Sequence, residues 1–139
     1  MATFNKFNAF VADIANKVHN LGSDTLKVML ANTAPAAANA VKADITEIAA
    51  GNGYAAGGTQ ATLVSSAQSS GTYALKLNNV TFTASAGAIA PFRYCVLYNA
   101  TPAAGNLIGW YDYGTALTIT AGNSFQVQFD PANGVLQLA

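Results

Sequence analysis

Apolar residues near the start of the chain recur at alternating steps of three and four, which is the spacing of one face of a helix. Thr3 precedes this pattern in the position of an N-cap, and Gly22 follows it as a residue that readily ends a helix. We predict a helix over residues 4–20, within an N-terminal segment of residues 1–22. Its apolar stripe consists of Phe4, Phe7, Val11, Ile14, Val18 and Leu21.

From Thr25 onward the apolar period changes to two, which is typical of strands with one buried face. The stretches LKVML at 26–30 and FQVQF at 125–129 both alternate in this way. PFRYCVLY at 91–98 is apolar on both parities, and its proline stands at the first position, where a strand tolerates it. We therefore predict that 91–98 is a central strand covered on both faces.

Further strands are expected between short clusters of Gly, Asn, Pro and Ser, which are typical of turns. TQATLVSS at 59–66 indicates a weak strand, and TYALKLNNVTFTAS at 72–85 indicates a long strand with a bulge or sharp twist at its two asparagines. About seven strands predict a mainly β fold, an antiparallel β-sandwich or jelly-roll-like domain over 25–139 with one N-terminal α-helix. The other predicted strands are LIGWYDY at 107–113, ALTIT at 116–120 and VLQLA at 135–139. The predicted core consists of Phe82, Tyr94, Val96, Phe125, Val127 and Phe129.

A chain of 139 residues is the size of one domain with its own core, so we treat residues 1–139 as a single domain. Charged residues make up only 9% of it, and six Lys plus Arg balance six Asp plus Glu. A neutral surface of this kind does not attract nucleic acid or anionic membranes, and it favours cover by neighbouring molecules. The N-terminal segment lacks the apolar run of a signal peptide, so we expect the protein to fold in a cytoplasm.

The glycine-rich stretch GNGYAAGG at 51–58 is a candidate phosphate-binding loop. It lacks the lysine of a P-loop, and it does not match G-x-G-x-x-G between a strand and a helix. We favour a tight turn that docks the ring of Tyr54 on the sandwich. No cofactor is therefore predicted.

Side chains that could catalyse a reaction are few and scattered. His19 is the only histidine, and a surface or capping role near the end of the predicted helix is favoured over a metal site. Cys95 lies in the most apolar strand, where a thiol usually packs as a small, unreactive apolar side chain, so we do not expect it to act as a nucleophile. Asp44 and Glu47 are interpreted as solvated loop charges, because no histidine accompanies them. We predict no catalytic, metal-binding or cofactor-binding residues, no small-molecule substrate and no enzyme activity.

Arg93 is unusual because it places a cation inside the apolar strand 91–98. It must extend past the neighbouring tyrosines or pair with a carboxylate such as Asp112. We favour a structural or interfacial role for it over a catalytic one. Asn79 and Asn99 each begin an N-x-T sequence, which matches the glycosylation sequon without a secretion signal.

Several short motifs follow one another in a recognisable order. They are DITEIAAGNGY at 44–54, VTFTASAGAIAPFRYCVLYNA at 80–100, GNLIGWYDYG at 105–114, TITAGNSFQVQF at 118–129 and NGVLQLA at 133–139. In this order they resemble a family of small virion structural proteins of tailed bacteriophages, and the resemblance covers residues 25–139. It implies a virion component, either a capsid decoration or a tail-fibre-like protein, without fixing its place in the particle.

The resemblance and the neutral surface lead to an expectation of function. We expect a capsid decoration or cement protein of the virion that contacts the major capsid protein and further copies of itself, as a homotrimer by analogy with three-fold junctions on shells. The N-terminal helix departs from the tail-fibre-like members. Its apolar stripe either packs on its own sandwich or contacts a neighbour, and we favour contact with a neighbour. The alternatives are a tail or baseplate component and a carbohydrate-binding module with Trp110, Tyr111 and Tyr113 as its aromatic rings.

Overall fold

A computed structural model describes residues 2–139 of the chain, and strands dominate it. Over these residues the chain forms ten strands and one α-helix, α1 at Asn8–Ala15, with a short 3-10 turn at Lys42–Asp44. The mainly β class with one helix near the N-terminus is therefore confirmed. The strands are β1 (Phe4–Lys6), β2 (Leu26–Ala31), β3 (Thr59–Gln60), β4 (Leu63–Ser69), β5 (Thr72–Leu77), β6 (Val80–Thr83), β7 (Ile89–Asn99), β8 (Leu107–Ile119), β9 (Ser124–Val127) and β10 (Leu136–Leu138).

The strands form three antiparallel sheets. The largest has the order β1-β8-β7-β2-β3, and the smaller sheets have the orders β10-β5-β4 and β6-β9. The main hydrophobic core takes buried residues from all three sheets, as the two layers of a β-sandwich require. Its fully buried members include Leu30, Leu75, Phe92, Ile108 and Val127.

The predicted central strand is confirmed as β7, which lies between β2 and β8 and is buried on both faces. Cys95 and Leu97 belong to the main core, whereas Val96 and Tyr98 belong to a second apolar cluster. Because side chains alternate along a strand, the two clusters lie on opposite faces of the large sheet. The second cluster is completed by Phe7, Met29 and Leu107.

The helix predicted over residues 4–20 is wrong in its bounds. β1 comes first and pairs antiparallel with β8, and the helix that follows has only eight residues. Gly109 permits this pairing, because a Cβ atom at that position would lie 2.2 Å from Cζ of Phe4. Beyond the helix, Lys17 has a φ of 64°, which a helix does not continue through. Strand pairing at one end and a left-handed residue at the other therefore shorten the helix.

Part of this apolar segment packs inside its own subunit, which favours packing on its own sandwich, whereas contact of the stripe with a neighbour stays a prediction. Phe7 is 0% exposed and its ring lies 4.6 Å from that of Trp110. Phe10 is 2% exposed and belongs to the main core together with Leu21. Val11, in the middle of the predicted stripe, is 51% exposed. The segment is thus part of the subunit's own core.

Several strand predictions are also corrected. The predicted long strand at 72–85 is two strands, β5 and β6, which belong to different sheets, and it ends at Thr83. Asn79 stands at the crossing, where its side-chain oxygen accepts a hydrogen bond from the Phe129 N–H at 2.9 Å. The stretch 59–66 is divided between β3 and β4, and 107–113 with 116–120 form the single strand β8. Of the predicted core, Phe125 is only partly buried, and the other five residues are buried.

Candidate interaction surface

The glycine-rich loop at 51–58 holds a carboxylate of its own chain. Gly57 donates its N–H to Glu47 Oε1, and the Tyr54 hydroxyl donates to the same oxygen at 2.6 Å. The hydroxyl in turn accepts a hydrogen bond from the Leu30 N–H at 3.0 Å. Burial, followed by the hydrogen bond to Glu47, raises the pKa of Tyr54 well above its usual value. Tyr54 is 3% exposed, which confirms that it docks on the sandwich.

The two carboxylates between β2 and β3 are used structurally. The interpretation of Glu47 as a solvated loop charge is wrong, because this residue is partly buried and ties Tyr54 to Gly57. Asp44 is exposed, and its Oδ2 accepts hydrogen bonds from the N–H groups of Ala40 and Val41 at 2.9 and 3.1 Å. These bonds hold the pKa of Asp44 below its usual value. Both side chains thus fix the connection between two strands.

The Tyr54→Phe variant is expected to lower the free energy of unfolding by about 1–3 kcal/mol, because it leaves the buried Leu30 N–H without a partner. The matched control is Tyr73→Phe, which removes one hydrogen bond to Ser66 at a part-buried site and should cost less. Urea unfolding of both variants measures the difference. An unchanged midpoint for Tyr54→Phe would contradict this account of the loop.

His19 is buried, so the prediction of a surface or capping role is wrong. It is 6% exposed, and its Nδ1 accepts a hydrogen bond from the Asn99 amide at 3.1 Å, which places the proton of a neutral ring on Nε2. Nε2 lies 3.9 Å from Asp13 Oδ2 and has no hydrogen-bond partner among residues 2–139. The Asn99 amide also donates to Asp24. This polar cluster joins α1, the connection to β2 and the end of β7.

Stability is expected to depend on the protonation of His19. Burial lowers its pKa, and the charges of Asp13 and Asp24 oppose this shift only in part. The unfolded chain therefore takes up the proton first, so the free energy of unfolding falls as pH drops below about 6.5 and continues to fall until the folded pKa is reached. The full contribution of the neutral ring to stability is therefore present above about pH 6.5, the pKa of an unperturbed histidine.

Urea midpoints between about pH 7.5 and pH 5 test this dependence, because the carboxylates titrate mainly below that range. His19→Gln should flatten the profile, although it lowers stability overall by disturbing the cluster. A wild-type midpoint that rises on acidification would contradict the assignment.

Cys95 is buried in an apolar strand and Arg93 pairs with Asp112, as the sequence predicted. Cys95 is 0% exposed, and burial raises its pKa to about 12, so the thiol stays protonated at neutral pH. Arg93 pairs with Asp112, with Nε donating to Oδ1 at 2.7 Å and Nη2 donating to Oδ2 at 2.9 Å. The guanidinium holds the pKa of Asp112 below its usual value. Both side chains of this pair are more than a third exposed, so water screens it and it contributes little to stability.

Trp110, Tyr111 and Tyr113 of β8 do not form one exposed aromatic surface. Tyr111 is 6% exposed and belongs to the main core, whereas Trp110 packs against the second cluster on the opposite face. Tyr113 meets Phe125 edge to face, with the ring centroids 5.2 Å apart. Sugar stacking requires a flat ring open on one face, and these rings are directed to different sides of the sheet.

Among the strands that stand at the end of a sheet in residues 2–139, β4 is the longest. This strand is last in its sheet, pairs only with β5, and its seven residues LVSSAQS carry no charge. Leu63 and Val64 at its start are 43% and 57% exposed. Native proteins usually protect an edge with charges, proline or short length. The local pattern indicated only a weak strand at 59–66, because an exposed edge is defined by the order of the strands and not by the sequence of one of them.

Asn99 was also missed, since the sequence showed it only as the first residue of a sequon. It is 0% exposed and its amide holds His19 and Asp24, so that sequon asparagine lies inside the fold.

No family model, curated protein or solved structure matches the chain. Within residues 2–139, no helix is long and apolar enough to cross a membrane. The same residues contain no group of three or more His, Cys, Asp or Glu side chains placed to hold a metal ion.

Proposed function

We propose that this chain is a structural protein of a tailed-bacteriophage virion, and specifically a capsid decoration or cement protein that binds the head shell and stabilises it. The observation that carries the proposal is a charge-poor β-sandwich with one long, uncharged strand edge open to a partner. A subunit of this kind gains stability from contact with neighbouring molecules and needs no reactive group. Its proposed partners are the major capsid protein and further copies of itself.

The motifs that resemble phage virion proteins coincide with the parts of the chain that determine this fold. GNGY lies in the loop that Tyr54 anchors through its hydrogen bond with Leu30. GNLIGW contains the start of β8 and Gly109, the glycine that lets β1 pair with β8. TITAGNSFQVQF contains the turn between β8 and β9 and the alternating strand that pairs with β6. These motifs therefore have structural roles in this fold, and the step from the resemblance to a virion function is made by analogy.

Two other functions compete with this proposal. A tail or baseplate component would use the same kind of rigid β domain, and only its place in the particle would differ. A carbohydrate-binding module is less well supported, because Trp110, Tyr111 and Tyr113 are directed to different faces. The homotrimer stays a prediction by analogy.

Peptide mass spectrometry of gradient-purified particles, with heads and tails separated, tests the proposal. Peptides of this chain should be found with the heads, in a fixed ratio to the major capsid protein. Peptides confined to the tail fraction would favour the tail alternative. Absence from both fractions, when the chain is expressed during phage growth, would contradict a virion role.

A further inference from the structure

We propose that β4 is the site at which two copies of this chain bind each other, as antiparallel strands related by a two-fold axis at Ala67. This contact would join the sheets of two subunits into one six-stranded sheet. It goes beyond the proposed function, since neither the location nor the symmetry of a self-contact follows from a role in the virion.

The first argument is the direction of the backbone groups of β4. Val135 donates its N–H to the Leu75 carbonyl at 2.7 Å, so the hydrogen-bonding groups of Leu75 face β10. Ser66 lies directly opposite Leu75 in the β4–β5 pair, and its N–H and C=O therefore face away from β5. Gln68, two residues on, faces the same way. Among residues 2–139 no backbone group donates to or accepts from these two residues at the open edge.

The second argument is that this pattern is complementary to itself. An antiparallel partner must offer its own outward-facing residues, and a copy of β4 offers Ser66 and Gln68. In this contact Ser66 pairs with Gln68 of the second copy, and Gln68 pairs with Ser66 of the second copy. The two pairs form four backbone hydrogen bonds. Ala67 then lies on the two-fold axis, opposite Ala67 of the second copy. An isologous contact of this kind closes as a dimer, which differs from the trimer expected by analogy.

The third argument concerns charge and shape. Ala67 and Ser69 are exposed and small, so two copies can approach without steric conflict. The strand has no charge, so nothing on it repels a second copy. The bulge between Leu63 and Ser65 ends the regular edge on one side, and the turn at Ser70 and Gly71, with φ of 52° and 84°, ends it on the other. The regular segment is therefore centred on Ala67.

A disulfide test reads out both the contact and its register. In the proposed pair the two Cα atoms of Ala67 are about 4.5 Å apart, because residues at a non-hydrogen-bonded position approach most closely. This separation lies within the range that a disulfide spans. Ala67→Cys should therefore form a disulfide-linked dimer under mild oxidation, and the native Cys95 does not interfere because it is 0% exposed.

The matched control is Ser69→Cys, another exposed residue on the same face of the same strand. In the proposed register the two copies of residue 69 are four residues apart along the strand, or about 13 Å, and cannot form a disulfide. Crosslinking of Ala67→Cys but not Ser69→Cys is the expected result. Equal crosslinking of both variants, or crosslinking of neither, would overturn the proposal.

A charge variant tests the same contact without covalent chemistry. Ala67→Lys places two like charges on the two-fold axis and should abolish the dimer seen by analytical ultracentrifugation over a concentration series. Ala103→Lys, at an exposed position in the β7–β8 turn, is the control and should leave the dimer unchanged. Both variants should remain folded by circular dichroism, since neither residue is buried.

Association that persists in Ala67→Lys would overturn the β4 contact, as would a wild-type chain that remains monomeric throughout. Either result leaves the proposed virion function intact, because that function is tested on particles.

Discussion

Removal of residues 1–20 is expected to leave a chain that does not fold. The deletion removes β1 from the edge of β8, together with Phe7 and Phe10, which are 0% and 2% exposed. Loss of a buried phenylalanine costs about 3–5 kcal/mol, so two of them account for about 6–10 kcal/mol. The whole free energy of unfolding of a domain is about 5–15 kcal/mol. The deletion also removes His19 and Asp13 from the polar cluster around Asn99.

Circular dichroism and thermal unfolding of the truncated chain measure this effect. A deletion of residues 1–3, which leaves β1 intact, is the control and should unfold cooperatively near the wild-type temperature. A chain lacking residues 1–20 that folds cooperatively would show that the N-terminal segment is accessory to the sandwich. The apolar residues of that segment would then be candidates for contact with a neighbouring molecule.

Phe92→Ala is expected to lower the free energy of unfolding by about 3–5 kcal/mol, which is the second large effect. Phe92 is 0% exposed in β7, and the sheets on both sides of the main core leave little room for the cavity to collapse. Its ring meets that of Phe125 edge to face, with the centroids 5.0 Å apart.

Phe125→Ala is the control, since it breaks the same aromatic pair, together with the contact to Tyr113, at a partly exposed position and should still cost distinctly less. Urea unfolding gives both values. Equal losses in the two variants would mean that the aromatic pair, and not the burial of Phe92, determines the cost.

The parts of the fold that were predicted from sequence are those that a local pattern determines. β9 alternates because one of its faces is buried, and β7 is apolar on both parities because a cluster covers each face. β2 also alternates, but its second face is covered as well, since Met29 is 0% exposed in the second cluster. Tyr54 was assigned to a docked turn because its neighbours are small and flexible. In each of these cases the residues near one another in sequence carry the whole signal.

The parts that were missed depend on contacts distant in sequence. Phe4 and Phe7 are three residues apart, which fits a helix, yet Phe4 belongs to a strand because Gly109, 105 residues later, admits it to the edge of β8. His19 is buried because Asn99, 80 residues away, supplies a partner for its ring. The open edge of β4 depends on the order of the strands. The spacing of apolar residues along the sequence carries no information about contacts between such distant residues.

The measurement that tests the central claim most directly is the temperature at which packaged DNA is released from phage heads. Heads that lack this chain are heated with and without saturating amounts of the purified protein, and a dye that binds exposed DNA reports release. Binding to the assembled shell stabilises it by linkage, so the account predicts a higher release temperature with the protein present. An unchanged release temperature at saturation would contradict the claim that this chain is a protein that stabilises the head.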